Sequence, residues 1–143
     1  MSILLTRTNE AYGTYKILIL YEDKLINYDA VKNDIKFWEK WTDNLKKELN
    51  NRYYIILNIL ESLKELEGKK EKLKDQEIDL FSDRVNKSIR IIFSIVNNTN
   101  IIIVWGIGYH EEAYRDILRR AESFIKNHQK LILELLGIKT IYR

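Results

Sequence analysis

Asp83–Arg120, DRVNKSIRIIFSIVNNTNIIIVWGIGYHEEAYRDILRR, is the stretch that decides how the rest of the chain is arranged. After Ser88 the run to Val96 is apolar except for Arg90 and Ser94. Asn97-Asn98-Thr99-Asn100 interrupts it, and Ile101–Ile107 is again almost wholly apolar and largely β-branched. β-Branched residues suit a pleated, half-buried surface, and a short polar break between two such runs makes them neighbouring antiparallel strands. Gly106 and Gly108 loosen the end of the second strand, and Tyr109-His110-Glu111-Glu112 opens a helix.

Upstream, Tyr15–Tyr21 (YKILILY) reads as a strand, and Ile3–Thr6 as a weaker one, with Asn9 and Gly13 suited to the turn between them. From Asp29 the apolar period becomes helical. Val31, Ile35, Trp38 and Trp41 form one phase, and Leu45, Leu49, Tyr53, Ile56, Leu60, Leu63 and Leu66 a second. Asp29 and Asp43 are candidate caps, Thr42-Asp43 separates the phases, and Gly68 ends the second. Lys69–Gln76 is a solvated segment, and Glu77–Phe81 a short strand. Downstream, Ala113, Ile117, Ala121, Phe124, His128, Leu131 and Leu135 form a broad apolar stripe on a helix.

The segregated order of strands and helices predicts one α+β domain over 1–143. It comprises an N-terminal strand or hairpin (1–22), a helical pair (29–67), antiparallel strands (77–109) and a C-terminal helix (111–136). The helical pair is expected to cover one sheet face and to leave Arg90 and the Tyr109-His110 corner on the other, open face. The width of the Ala113–Leu136 surface would also serve a homodimer packed through the last helix.

Composition narrows the function. The net charge of +3 permits contact with nucleic acid without demanding it. With no cysteine, disulfides and thiolate metal sites are excluded. No run of eighteen apolar residues occurs, and MSILLTRTNE lacks the basic start and long apolar core of a signal peptide, so the cytoplasm is the expected location and no membrane partner is expected. There is no GxxxxGK[ST], no third glycine after GIG, no HExxH and no nucleophile elbow. Neither a metal nor a cofactor is therefore expected.

What remains is a gathering of Arg84, Lys87 and Arg90 with Tyr109, His110, Glu112, Tyr114 and Arg115. In an antiparallel hairpin the start of one strand lies beside the end of the next, which brings Arg90 and Tyr109 close in space. Such a set suits phosphodiester chemistry. Arginine and lysine offset phosphate charge, histidine, tyrosine or glutamate moves protons, and RNA supplies its own 2′-hydroxyl nucleophile. Each residue also has an ordinary structural role to weigh: edge arginine, amphipathic tyrosine filler, acids complementing a helix dipole.

RVNKSIRIIFSIVNNTNIIIVWGIGYHEEAYR resembles the C-terminal half of RelE/ParE-superfamily toxins. The resemblance rests on Arg84, on Arg90 leading into Ile91-Ile92-Phe93, on Ile101–Trp105, on Gly108, and on the Tyr109-His110 and Glu112-Ala113-Tyr114-Arg115 steps. It implies a toxin held inactive by an antitoxin protein. The toxin would cleave ribosome-bound mRNA by 2′-hydroxyl attack, without a metal or other cofactor. His110, Arg90, Arg84 and Tyr109 would be the catalytic group, and Lys87, Tyr114, Arg115 and Glu112 the substrate-binding group. A gyrase-binding toxin or other non-catalytic interaction protein on the same scaffold is the alternative.

Overall fold

The computed structural model describes residues 14–65, 71–72, 80–96 and 100–131; the side chains at 46, 71–72 and 110–113 lie outside that description. The expected strand at Ile3–Thr6, the Asn9 and Gly13 turn, the Gly68 stop, the 77–79 stretch, Leu66 and residues past 131 fall outside it too.

The chain runs β1 (Lys16–Tyr21), β2 (Lys24–Asn27), α1 (Tyr28–Val31), α2 (Ile35–Trp41), a 3-10 turn (Asp43–Leu45), α3 (Lys46–Leu49) and α4 (Tyr54–Leu63). It continues through β3 (Glu71–Lys72), β4 (Phe81–Arg84), β5 (Ile89–Ile95), β6 (Ile101–Tyr109) and α5 (His110–Asn127). The architecture is α+β. Among the described residues six strands form one sheet in the order β2-β1-β6-β5-β4-β3. An antiparallel sheet was expected, and all neighbours but one are antiparallel. The exception is β1, which pairs parallel with β6 from Lys16↔Ile101 to Ile19↔Val104. Nothing local in either strand encodes that pairing. It arises because the whole helical layer and the β4–β5 ribbon intervene before the chain returns beside β1.

The helical layer covers one sheet face. Trp38 is fully buried and meets Phe37, Trp41 and Tyr28 edge-on, with ring centroids 4.9, 5.6 and 6.2 Å away. Edge-on packing matches the positive ring edge to the negative face of its neighbour. Both indole N–H groups are satisfied, Trp38 by the Val31 carbonyl (3.0 Å) and Trp41 by the Leu20 carbonyl (3.2 Å). Leu45, Leu49, Tyr53, Ile56, Leu60 and Leu63 are all buried in the same cluster, against Ile17, Ile19, Ile89, Ile91 and Phe93 of the sheet.

The second helical phase, expected to be one long helix, is instead broken. Asn50 and Asn51 adopt positive φ (52° and 61°), which asparagine tolerates better than most residues. The helix starts also differ from expectation. Asn27 caps α1 and Asp34 caps α2, accepting from the Asp29 and Phe37 amides. Asp29 sits in the first turn of α1 and joins a clasp to α4. There Tyr28 Oη donates to Glu61 Oε2 (2.8 Å) and Lys64 Nζ donates to Asp29 Oδ1 (2.7 Å), while Lys64 also lies 3.3 Å from Glu61. Burial first, and the Glu61 carboxylate second, push the Tyr28 hydroxyl pKa far up. The hydrogen bond between them lowers the pKa of Asp29 and raises that of Lys64.

The other face, expected to be open, is covered by α5. Ile117, Ala121 and Phe124 are buried against Leu80, Ile92, Ile103 and Trp105. The sheet itself therefore accounts for the inner part of the broad stripe on this helix. At its far end His128 stacks on Phe124 (centroids 4.3 Å) and lies 3.1 Å from Asp23 Oδ2 in the β1–β2 turn. Glu22 and Asp23 hold φ of 49° and 61° in that turn, values that glycine or asparagine usually supplies.

One irregularity governs side-chain direction near the end of β6. Ile92 pairs with Gly106 but Phe93 pairs with Val104, so Trp105 is an extra residue, a β-bulge. Trp105 packs towards α5, and a Cβ added to Gly106 would also point there, 3.0 Å from Ile117 Cγ1. Two successive residues thus face α5, and the in–out alternation of β6 reverses beyond them.

Candidate functional site

The basic residues of the sequence motif gather at the turn between β4 and β5. Asn86 Oδ1 accepts from the Ser88 and Ile89 amides (both 2.8 Å), and the Val85 amide donates to the Ile89 carbonyl (2.8 Å). An asparagine that bonds the backbone two residues on replaces the missing turn hydrogen bonds and sets the loop. Lys87 is thereby held exposed at its tip. Directly below, Arg84 stands opposite Arg90 across the ladder. Residues so paired have Cβ atoms about 5 Å apart on one face of the sheet.

That face is the α5 side. Ile89, Ile91 and Phe93 point into the helical-layer cluster, so Arg90, Ile92 and Ser94 point the other way. Arg90 is half-buried, and its Nη1 donates to Ser82 Oγ at 3.2 Å. Ser82 is 1% exposed and pairs with Ile92. On β6 the residue opposite Arg90 is Gly108, which has no side chain to compete for the space. Arg84 is exposed. Like charges directly opposite one another are unfavourable by themselves, by a few tenths to about 1 kcal/mol, and both arginines make further contacts that bear on that balance.

Tyr109 does not join this group. It pairs with Ile89 and packs against the helical-layer cluster, on the face opposite Arg90. The bulge at Trp105 is the reason: plain alternation from Val104 would have put Tyr109 on Arg90's face. The expectation that Arg90 and Tyr109 meet thus holds for adjacent rungs but fails for sides. Tyr114 is half-buried against the α5 cluster, and Arg115 is exposed. His110 is the first residue of α5 and Glu112 lies two residues on, but their side chains are among those outside the description. Of the expected set, the structure brings together Arg84, Lys87 and Arg90.

Sequence reading missed Ser82. Its signal was period-two spacing from Arg84 on a strand, but the strand was expected to end at Phe81. It also missed a cleft of about 650 Å³ beyond the carboxyl end of β1, between α2 and α5. Trp41, Trp105 and Phe124 line that cleft, as do Asp23, Asp116 and Arg120. The cleft exists only because β1 lies beside β6, which no local pattern announces. Its charges are largely satisfied internally: Arg120 lies 2.9 Å from Asp116, and Asp23 contacts His128.

Among the described residues, no group of three or more histidines and acids is placed to hold a metal ion. No described helix is long and apolar enough to cross a membrane. Compared with protein-family models, curated proteins and solved structures, the chain matches none of them.

Proposed function

We propose that this protein is a RelE-like toxin that binds the phosphate backbone of ribosome-bound mRNA at the β4–β5 turn and cleaves it without a metal. The observation that carries this reading is the facing pair Arg84 and Arg90, with Lys87 at the tip of the same turn. The order of elements supports it as well: strands first, then helical segments packed on one sheet face, then four antiparallel strands and a closing helix.

In this reading the 2′-hydroxyl oxygen attacks the adjacent phosphorus and the bond from phosphorus to the 5′ oxygen breaks. The products are a cyclic phosphate and a 5′-hydroxyl. The hydroxyl proton leaves to a base, and the departing oxygen takes one from an acid. Arg84 and Arg90 offset charge on the non-bridging oxygens as it grows, a role that removes the need for a tightly bound cation. His110, one residue beyond the end of β6, is assigned proton transfer. Lys87, Tyr114, Arg115 and Glu112 are assigned to substrate binding, and an antitoxin protein would cover the same surface. Tyr109, on the far face, is assigned to the core rather than to chemistry.

The test is growth arrest on induction. Arg90→Ala and His110→Ala should each abolish arrest while melting as cooperatively as wild type. Full toxicity of both variants would remove the assignment. A second reading, a non-catalytic binding protein on the same scaffold, gyrase-directed or otherwise, draws on the separation of Tyr109 from Arg90 by the sheet. It predicts arrest without any new RNA ends.

A further inference from the structure

Ser82 occupies a position that an apolar residue would ordinarily fill. It is 1% exposed, on the sheet face that carries Leu80 and Ile92 into the α5 cluster. Burying a hydroxyl is unfavourable unless it is hydrogen-bonded, so a serine here needs a reason. The same face holds one other strand serine with a visible reason: Ser94 Oγ accepts the Trp105 indole N–H at 2.8 Å, satisfying a buried donor. Ser82 plays the corresponding part for Arg90, accepting from Nη1 at 3.2 Å.

The two partners differ in kind. Trp105 is buried, whereas Arg90 is half-exposed, so its guanidinium also reaches solvent. An arginine side chain has four rotatable bonds, and an anchor at one Nη fixes the plane of the fork that would meet a phosphate. We infer that Ser82 is a positioning residue: it holds the Arg90 guanidinium in the plane that, with the facing Arg84, receives a phosphate group of single-stranded RNA. This deepens the reading above and rests on it.

The experiment measures binding of a uridine dodecamer across a series of salt concentrations to wild type, Arg90→Ala, Ser82→Ala and Ser82→Thr, with a urea melt of each. Arg90→Ala should weaken binding and reduce the salt slope by roughly 0.7, the value for one phosphate contact on a single strand. Ser82→Ala keeps every charge. It should weaken binding roughly five- to tenfold, within the range of a typical net intramolecular hydrogen bond. Ser82→Thr, which retains the hydroxyl, should bind within about twofold of wild type. A packing defect alone would lower the melts of both Ser82 variants and would not be rescued by threonine, which overturns the positioning role. If Arg90→Ala weakens binding but Ser82→Ala matches wild type, the Ser82 inference is wrong and the phosphate site stands. If Arg90→Ala binds as wild type does, the phosphate site itself is wrong and the Ser82 role falls with it.

Discussion

Arg84 and Arg90 face one another across the β4–β5 ladder, on the sheet side that α5 covers and two rungs from the buried hydroxyl of Ser82. Like charges directly opposite one another are unfavourable by themselves, and each arginine makes further contacts that bear on the balance. Receiving a phosphate, as proposed, is a second demand on the pair.

A charge reversal separates the two demands. Arg84→Glu places an acid opposite Arg90 and replaces repulsion by attraction. Stability should rise by roughly 0.5 kcal/mol, read as a higher urea midpoint at unchanged slope. RNA binding and growth arrest should be lost in the same variant. A variant both more stable and still toxic would show that the pair is structural.

The bulge makes a second prediction. A Cβ at position 106 would sit 3.0 Å from Ile117 Cγ1 and 3.3 Å from its Cδ1. Gly106→Ala should therefore destabilise by about 1–3 kcal/mol, since overpacking forces neighbours off their rotamers. In an Ile117→Ala background the same substitution should cost much less, and a double-mutant cycle by urea denaturation reads the coupling. Additive effects would mean that α5 does not lie over Gly106 as described.

The clasp between α1 and α4 sets a pH window. Lys64 and Tyr28 both hold their protons more tightly when folded, so their contributions are complete below about pH 10 and fall as pH rises towards the folded values. Asp29 is shifted down, so its contribution is complete above about pH 4 and falls as pH drops through its folded value. Asp29 is more than half exposed, so solvent screening keeps the acid arm the weaker of the two. Lys64→Met should lower stability at neutral pH and flatten both arms, and Tyr28→Phe only the alkaline arm, as measured by urea midpoints at about pH 3, 7 and 11. An unchanged alkaline arm in both variants would discount the clasp.

The core was more legible in sequence than the connections. Every described member of the stripe from Leu45 to Leu63 is buried, because helical period alone selects one face. Its continuity was misjudged at Asn50-Asn51, where two residues with positive φ turn the chain yet keep the stripe on the sheet. β2 escaped notice since Lys24–Asn27 is short and its turn, Glu22-Asp23, lacks the usual glycine. At the site, the sequence grouped Arg84 with Arg90 as neighbours along one strand and its approach; their pairing across a ladder was not foreseen, because β4 was expected to end at Phe81 and instead continues to Arg84. Nor was the side on which Tyr109 falls, because a single extra residue at Trp105 inverts the alternation and leaves no mark in composition.

The most direct measurement is a map of RNA 5′ ends after brief induction in a bacterial host, comparing wild type with Arg90→Ala. Wild type should generate new 5′-hydroxyl ends within translated regions at preferred codon positions, and Arg90→Ala should generate none while remaining folded. Growth arrest by wild type with no new ends, or the same ends from Arg90→Ala, would contradict the proposal that this basic turn cleaves RNA.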